Sequence, residues 1–184
     1  SGHLSSSMGL TVLCAAYMAE HHAAKEEIVE AVSRMERFIS SAFIINSTHM
    51  MCQTGRISKK VQILCDALLL HPVLELKKSR MVVGSMEMGS FAHATKKYVR
   101  KVLQDARSID RRILFITYSG MEEKKLRQIQ SLVQQYCPFE RVYLQKASSA
   151  IASNCGPGSF GLLFLRKDDS GTPFFQMSNR DGAA

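Results

Sequence analysis

Apolar residues recur along the chain with two spacings, one typical of helices and one typical of strands. Spacings of three and four residues predict helices over residues 4–20, 25–39, 59–70, 90–109 and 122–136. Short alternating or continuous apolar runs predict strands over residues 42–46, 73–76, 81–86, 113–118, 140–145 and 160–165. A turn or a short helix is expected over 147–152. These elements indicate an α+β fold in which helices cover one six-stranded mixed or antiparallel sheet.

The two ends of the chain differ from this central pattern. The first two predicted helices have no strands of their own, and each has an apolar face that needs another layer to cover it. For the first helix, the expected apolar stripe consists of Leu4, Met8, Val12 and Ala15. Residues 168–184 are polar and contain Gly and Pro, so they are expected to form a frayed C-terminal extension.

A turn of small residues, Asn-Cys-Gly-Pro-Gly-Ser at 154–159, precedes the last predicted strand. Gly156 and Gly158 permit positive φ and a close approach by a ligand, and Pro157 stiffens the turn. Several backbone N–H groups there are expected to point at an anion such as a carboxylate or a phosphate. A tight turn without a ligand is the alternative that these residues leave open.

A second informative stretch is Met-Cys-Gln-Thr-Gly-Arg-Ile-Ser at 51–58. Gly55 interrupts the chain, Arg56 presents a cation with a planar fork of donors, and Ser58 is placed to cap the next helix. This arrangement favours Arg56 as an anion-binding residue, with a surface arginine in an ordinary turn as the alternative.

The formal net charge of +8 over 184 residues invites a nucleic-acid interpretation. The cations are spread over several clusters without the interleaved aromatic residues that stack on bases, so an acidic protein partner or an anionic ligand is favoured over nucleic acid. No apolar run approaches the roughly 20 residues of a membrane span, and residues 8–19 lack the features of a signal peptide. Five cysteines at scattered positions indicate reduced thiols in a cytoplasmic protein.

No catalytic or metal-binding constellation emerges from the spacing of the reactive residues. Cys155 and the serines are candidate nucleophiles, but no histidine or carboxylate is placed beside them by the sequence. Glu75, Glu87 and Asp66 do not have the spacing of metal ligands. The sequence therefore favours a binding protein without a metal or an organic cofactor. An enzyme remains an alternative that requires an unusually reactive Cys155 or serine.

Three ordered motifs resemble the DegV family. They are Thr-Gly-Arg-Ile-Ser at 54–58, His-Pro-Val-Leu-Glu-Leu at 71–76, and Ala-Ile at 150–151 followed by Gly-Pro-Gly-Ser-Phe-Gly-Leu at 156–162. The Ser-rich opening at 1–10 also resembles a mid-chain segment of that family. The resemblance extends over about residues 1–166, with the order and spacing of the motifs retained.

The resemblance implies a bacterial cytoplasmic fatty-acid-binding protein without catalytic activity of its own. Such a protein sequesters a long acyl chain and presents the carboxylate to a separate fatty-acid kinase. The family fold has two lobes, and the hydroxyl-rich Thr-Ser-Gly-Leu-Ser-Gly-like segment of the first lobe does not occur here. By resemblance, residues 1–41 are the final helices of the first lobe, residues 42–167 are the second lobe, and residues 168–184 are an extension.

The resemblance also implies roles for particular residues. Arg56 matches an arginine near the ligand and the partner surface, and Gly156, Pro157 and Gly158 match the turn near the carboxylate. Asn154 stands where the family usually has a histidine, and it retains a neutral donor but no positive charge.

A second departure from the family pattern lies after the predicted hairpin. Met88 stands where the family tends to have an arginine that is thought to meet the kinase. Both departures favour, as an alternative, an interaction or regulatory domain that keeps the fold but no longer presents lipid. Met86 and Met88 are flexible apolar residues suited to lining an acyl chain, with a place in the ordinary core as the alternative. Met50, Met51, Leu64 and Leu68 belong to the same group of candidates.

Overall fold

The structure is a computed structural model that describes residues 2–77, 79–168 and 170–171. The helices are α1 (Ser6–Glu20), α2 (Lys25–Met35), α3 (His49–Gln53), α4 (Lys59–Ala67), α5 (Phe91–Leu103), α6 (Glu123–Tyr136) and α7 (Ser149–Cys155), with a 3₁₀ turn at Glu36–Phe38. The strands are β1 (Ile39–Ile44), β2 (Leu70–Lys77), β3 (Arg80–Met88), β4 (Ile109–Tyr118), β5 (Arg141–Lys146) and β6 (Phe160–Arg166).

The six strands form one sheet in the order β3-β2-β1-β6-β4-β5. β4 and β5 pair in parallel, whereas all other neighbours in the sheet are antiparallel. The parallel pair is joined through α6, because two parallel neighbours require a crossover connection. The predicted hairpin corresponds to β2 and β3. The predicted α+β fold with a six-stranded mixed sheet is confirmed.

Helices cover both faces of the sheet. α5 and α6 pack on one face over the main core, in which Tyr98, Ile129 and Leu162 are buried. On the other face, α1 and the end of α2 bury Leu10, Cys14 and Met35 against the sheet residues Ile39, Ile113 and Leu165. A third buried cluster on that second face contains Ile45, Met51 and Leu74.

Three predicted helices are shorter than expected, because their last apolar residues belong to the next strand. The helix predicted to end at 39 stops at Met35, and Ile39 begins β1, where it pairs with Leu165. The helix predicted to end at 109 stops at Leu103, and Ile109 begins β4. The helix predicted to end at 70 stops at Ala67, and the β2 strand begins at residue 70. In each case strand pairing overrides a local helical spacing.

The apolar stripe predicted for α1 is wrong in orientation. Met8 and Val12 are 49% and 62% exposed, whereas Leu10 and Cys14 are buried. The hydroxyl of Ser6 lies 2.7 Å from that of Thr117 on β4, so a buried polar contact helps to set which side of α1 faces the sheet. Spacing alone did not distinguish the two sides, because both contain apolar residues.

The division into residues 1–41, 42–167 and 168–184 stays a prediction. α1 packs directly on the same sheet that β6 and β4 form, and it contacts no second sheet among the described residues. Of the predicted C-terminal extension, only residues 168, 170 and 171 fall within the described part, and the remainder lies outside it.

Candidate functional site

The predicted turn begins two residues later than expected. Asn154 and Cys155 are the last residues of α7 rather than part of a loop, and Gly156 follows them as the C-cap. Gly156 and Gly158 have φ of 73° and 79°, the left-handed region that glycine adopts without strain. The glycines therefore end α7 and direct the chain into β6.

The N–H groups of both turn glycines donate to carbonyl groups of this chain. The Gly156 N–H donates to the carbonyl of Ala152 at 2.9 Å, and the Gly158 N–H donates to the carbonyl of Ser119 at 2.6 Å. Pro157 has no N–H to offer. The expectation that this turn supplies backbone donors to a ligand is wrong for both glycines, because α7 and the β4 end already use these donors.

The space behind the two glycines is occupied by side chains. A Cβ atom at Gly156 would lie 3.1 Å from Cγ of Met50, and one at Gly158 would lie 2.6 Å from Nδ2 of Asn46. Asn46 also donates from Nδ2 to the carbonyl of Pro157 at 3.3 Å. The glycines are thus required for close packing of the turn on the residues that follow β1.

Arg56 lies in the loop between α3 and α4. Its backbone N–H donates to the carbonyl of Met51 at 2.8 Å, which holds the loop against the end of α3. Ser58 then caps α4, with its hydroxyl oxygen accepting from the Val61 N–H at 3.3 Å, as the sequence predicted. The loop is therefore fixed at both ends, and the exposed Arg56 side chain extends from a defined backbone.

Arg56 and Asn154 contact each other directly. Nε of Arg56 donates to Oδ1 of Asn154 at 2.7 Å, and Nδ2 of Asn154 donates to the carbonyl of Ala150 at 2.8 Å. The two bonds agree on the orientation of the amide, because an arginine Nε–H only donates and a carbonyl only accepts. Asn154 thus orients Arg56, and the terminal nitrogens of the guanidinium remain available for a planar anion.

An apolar cavity of about 150 Å³ lies beside this pair, on the sheet face that carries Leu74. Its lining residues are Leu4, Phe43, Met51, Arg56, Leu74, Met81, Ile151, Asn154 and Cys155. Arg56 and Asn154 are the two strongly polar members of this set. The exposed guanidinium places the positive charge on the solvent side of an otherwise apolar space.

Cys155 lines the same cavity as a half-buried thiol. Burial raises the pKa of the Cys155 thiol, and the positive charge of Arg56 offsets part of this rise. A thiol with a raised pKa is mostly protonated at neutral pH and is a weak nucleophile. The site therefore favours a packing role for Cys155 over a catalytic one.

Met86 and Met88 are not among the residues that line this cavity. They lie on the edge strand β3, opposite Pro72 and Leu70, and they are 43% and 61% exposed. Side chains that alternate along a strand share a face, so both methionines lie on the face of Leu74. They extend an exposed apolar strip along β3 from the cavity, and neither is part of the core.

Sequence reasoning missed several members of the cavity. Phe43, Leu74 and Met81 come from three different strands, and Leu4 precedes α1. The alternation in the motif at 71–76 is enough to place Leu74 on the other face of the strand from His71 and Val73. It does not show that Leu74 pairs with Phe43 on the neighbouring strand. That contact depends on strand pairing, which the sequence alone did not specify.

Within the described residues, no helix is long and apolar enough to cross a membrane. Those residues also contain no group of three or more histidine, cysteine, aspartate or glutamate side chains suited to a metal ion.

Comparison with known proteins assigns the chain to a family. A family model described as an uncharacterised protein of the DegV family matches residues 1–167. The chain belongs to the DegV family. A DegV domain-containing protein of Caldanaerobacter subterraneus subsp. tengcongensis is 26% identical over 171 residues, which are 91% of this chain and 59% of that protein.

Solved structures of DegV proteins share the fold. One describes fatty acid binding by a DegV family protein from Thermus thermophilus, with a TM-score of 0.72, 25% identity, and coverage of 90% of this chain and 59% of that one. Another is the fatty acid kinase (Fak) B3 protein of Streptococcus pneumoniae loaded with linoleic acid, with a TM-score of 0.69, 15% identity, and coverage of 86% and 56%. The chain spans about three fifths of the length of these DegV relatives.

Proposed function

We propose that this DegV protein binds a long-chain fatty acid and takes no catalytic step itself. The observation that carries the proposal is the apolar cavity with Arg56 held at its solvent side by Asn154. A fatty acid has the matching chemistry, because its apolar chain suits the cavity and its planar carboxylate suits the guanidinium fork. Fatty acid binding by the Thermus thermophilus protein supports the same ligand class.

Arg56 is the proposed carboxylate-binding residue, and Asn154 is a positioning residue. The bond from Nε to Asn154 orients the guanidinium and leaves its two terminal nitrogens as a pair of donors for a carboxylate. Gly156, Pro157 and Gly158 act indirectly in this proposal, by ending α7 where Asn154 and Cys155 reach the cavity. In this proposal Asn154 therefore does not bind the carboxylate itself but holds Arg56 in position.

The acyl chain is proposed to occupy more than the enclosed space. Ligand sites usually measure roughly 300–1,000 Å³, whereas this cavity measures about 150 Å³ and suits only part of a long chain. We place the remainder along the exposed β3 strip that includes Met86 and Met88. Each methylene removed from water there adds about 0.8 kcal/mol, so the chain supplies most of the affinity and Arg56 fixes its direction.

Presentation of the bound carboxylate to a partner kinase is part of the same proposal. The positive charge lies on the exposed side of the site, which leaves a carboxylate at Arg56 open to a second protein. The Streptococcus pneumoniae neighbour is a fatty acid kinase (Fak) B3 protein, which supports a kinase as the class of partner. Burial raises the pKa of the Cys155 thiol, which makes it a weak nucleophile and supports a site without a catalytic thiol.

Replacing Arg56 with methionine is expected to weaken binding of palmitate about tenfold, because a charge-assisted hydrogen bond is lost. Binding of methyl palmitate, which has no carboxylate, is expected to change less than about twofold. Displacement of a fluorescent fatty acid by each compound measures both affinities.

The matched control for that experiment is Arg107→Met, which removes a positive charge from an exposed position outside the cavity. The control is expected to leave both affinities unchanged. Equal losses for palmitate and its ester in Arg56→Met would contradict a carboxylate site at Arg56. An equal loss of palmitate affinity in Arg56→Met and Arg107→Met would show that the effect comes from net charge and not from a contact at Arg56.

A second candidate function is an interaction domain that keeps the DegV fold without presenting lipid. The observation that favours it is the filled space behind the turn, where Met50 and Asn46 pack against Gly156 and Gly158. On this alternative the small cavity is a packing defect and Arg56 is a surface contact. The lipid content of the purified protein distinguishes the two candidates.

A further inference from the structure

An open groove of about 580 Å³ runs between α5 and α6, on the sheet face opposite the Arg56 cavity. Its floor contains Phe91, Met121 and Leu132, which are partly buried and pack against the main core. Lys96 from α5 and Lys125 from α6 are exposed and line the same groove. The groove therefore combines a recessed apolar floor with a positive charge contributed by each helix.

Most of the excess positive charge of the chain lies on these two helices. They contain seven lysine and arginine residues and one carboxylate, that of Glu123. Seven positive charges less one negative charge give these helices a net charge of +6, compared with +8 for the whole chain. Lys101 pairs with Glu87 at 3.9 Å, and Arg127 pairs with Glu123. Among the described residues, no ion pair involves the remaining cations Lys96, Lys97, Arg100, Lys124 and Lys125.

We propose that the α5–α6 groove binds an acidic amphipathic segment of a protein partner. Apolar side chains of that segment contact the floor at Phe91, Met121 and Leu132, and its carboxylates pair with Lys96 and Lys125. An amphipathic helix that lies in an apolar groove is a common mode of peptide recognition. Charge complementarity across such a surface raises the association rate and excludes basic partners.

The shape and composition of the groove favour a protein segment over other anionic partners. Single-stranded nucleic acid stacks on exposed aromatic side chains along a basic track, and among the described residues Phe91 is the one aromatic side chain that lines this groove. A membrane surface takes up apolar side chains that project from a helix, whereas this floor is recessed between two helices. Peptide binding in this groove is independent of lipid binding, because Arg56 and the apolar cavity beside it lie on the other face of the sheet.

The test uses a fluorescein-labelled synthetic peptide of about four helical turns, with leucines at helical spacing on one face and glutamates on the other. Fluorescence anisotropy measures its affinity for the protein and for two double variants. Lys96→Glu with Lys125→Glu is expected to weaken binding about tenfold, or about 1.4 kcal/mol. Lys60→Glu with Lys146→Glu makes the same change in net charge outside the groove and is expected to change affinity less than about twofold.

Three results would overturn the proposal, provided that circular dichroism shows both double variants to be folded. The first is an equal loss of affinity in the two double variants, which would show that net charge and not the groove lysines determines peptide binding. The second is undiminished binding of a peptide with serines in place of the leucines, which would remove the role of the floor. The third is binding of phosphatidylglycerol vesicles or duplex DNA that is tighter than binding of the peptide and is weakened by Lys96→Glu with Lys125→Glu. That result would assign the surface to a membrane or to nucleic acid.

Discussion

Replacing Tyr98 with phenylalanine is expected to lower the free energy of unfolding by about 2 kcal/mol. Tyr98 lies on α5 with 1% of its surface exposed, and its hydroxyl donates to the carbonyl of Ala42 on β1 at 2.6 Å. The same hydroxyl accepts from the N–H of Leu162 on β6 at 3.0 Å. One side chain therefore joins a helix to two neighbouring strands at the centre of the sheet.

The expected loss follows from burial of the bonding groups. The phenylalanine ring retains the edge-to-face contact with Phe160, whose centroid lies 5.4 Å away, so little packing is lost. The buried carbonyl and N–H lose a partner that water does not replace. Burial also raises the pKa of Tyr98, so the hydroxyl stays protonated and able to donate throughout the usual pH range.

Urea unfolding measures the effect, with Tyr136→Phe as the matched control. Tyr136 is 37% exposed at the end of α6, so the control is expected to change the free energy of unfolding by less than about 0.5 kcal/mol. A change at Tyr98 as small as that at Tyr136 would show that the hydroxyl does not join β1 to β6.

Replacing Gly161 with alanine is expected to lower the free energy of unfolding by about 2 kcal/mol and to disturb the cavity beside Arg56. A Cβ atom at this position would lie 2.3 Å from Cδ1 of Phe43 and 2.8 Å from the backbone oxygen of Ala42. Gly161 and Phe43 are directly opposite each other on β6 and β1, so the phenyl ring lies over the glycine. The ring has to move, and it is part of the cavity lining.

The matched control is Gly9→Ala in α1, where a Cβ atom would meet nothing within 4 Å. Alanine is favoured over glycine inside a helix, so this variant is expected to gain up to about 1 kcal/mol. Thermal or urea unfolding of the two variants gives changes of opposite sign. Unchanged stability in Gly161→Ala would mean that β1 and β6 tolerate a side chain between them.

Local patterns predicted the fold more successfully than they predicted the ends of the elements. The hairpin of β2 and β3 was visible as two apolar runs around a polar turn, and the cap at Ser58 was visible from its place before a helical pattern. The local pattern predicts helix at Ile39 and Ile109, because each continues a helical spacing. Their pairing partners on β6 lie far along the chain and outside the reach of a local pattern.

The candidate site was predicted as separate parts, and the fold determines how they meet. Arg56 and Asn154 were each identified from a motif, but their 2.7 Å contact joins residues that are 98 positions apart. Neighbouring strands bring Phe43 beside Leu74 to form one wall of the cavity. The backbone donors of the turn were assigned to a ligand, because the sequence does not reveal that Ala152 and Ser119 already accept from them.

Native mass spectrometry of the purified protein, followed by organic extraction, determines whether this protein binds a fatty acid. The spectrum is recorded as purified and again after incubation with an excess of a long-chain fatty acid. We expect an added mass that matches a fatty acid, and recovery of that fatty acid in the extract. The apo mass alone under both conditions would contradict fatty-acid binding and favour the interaction-domain alternative.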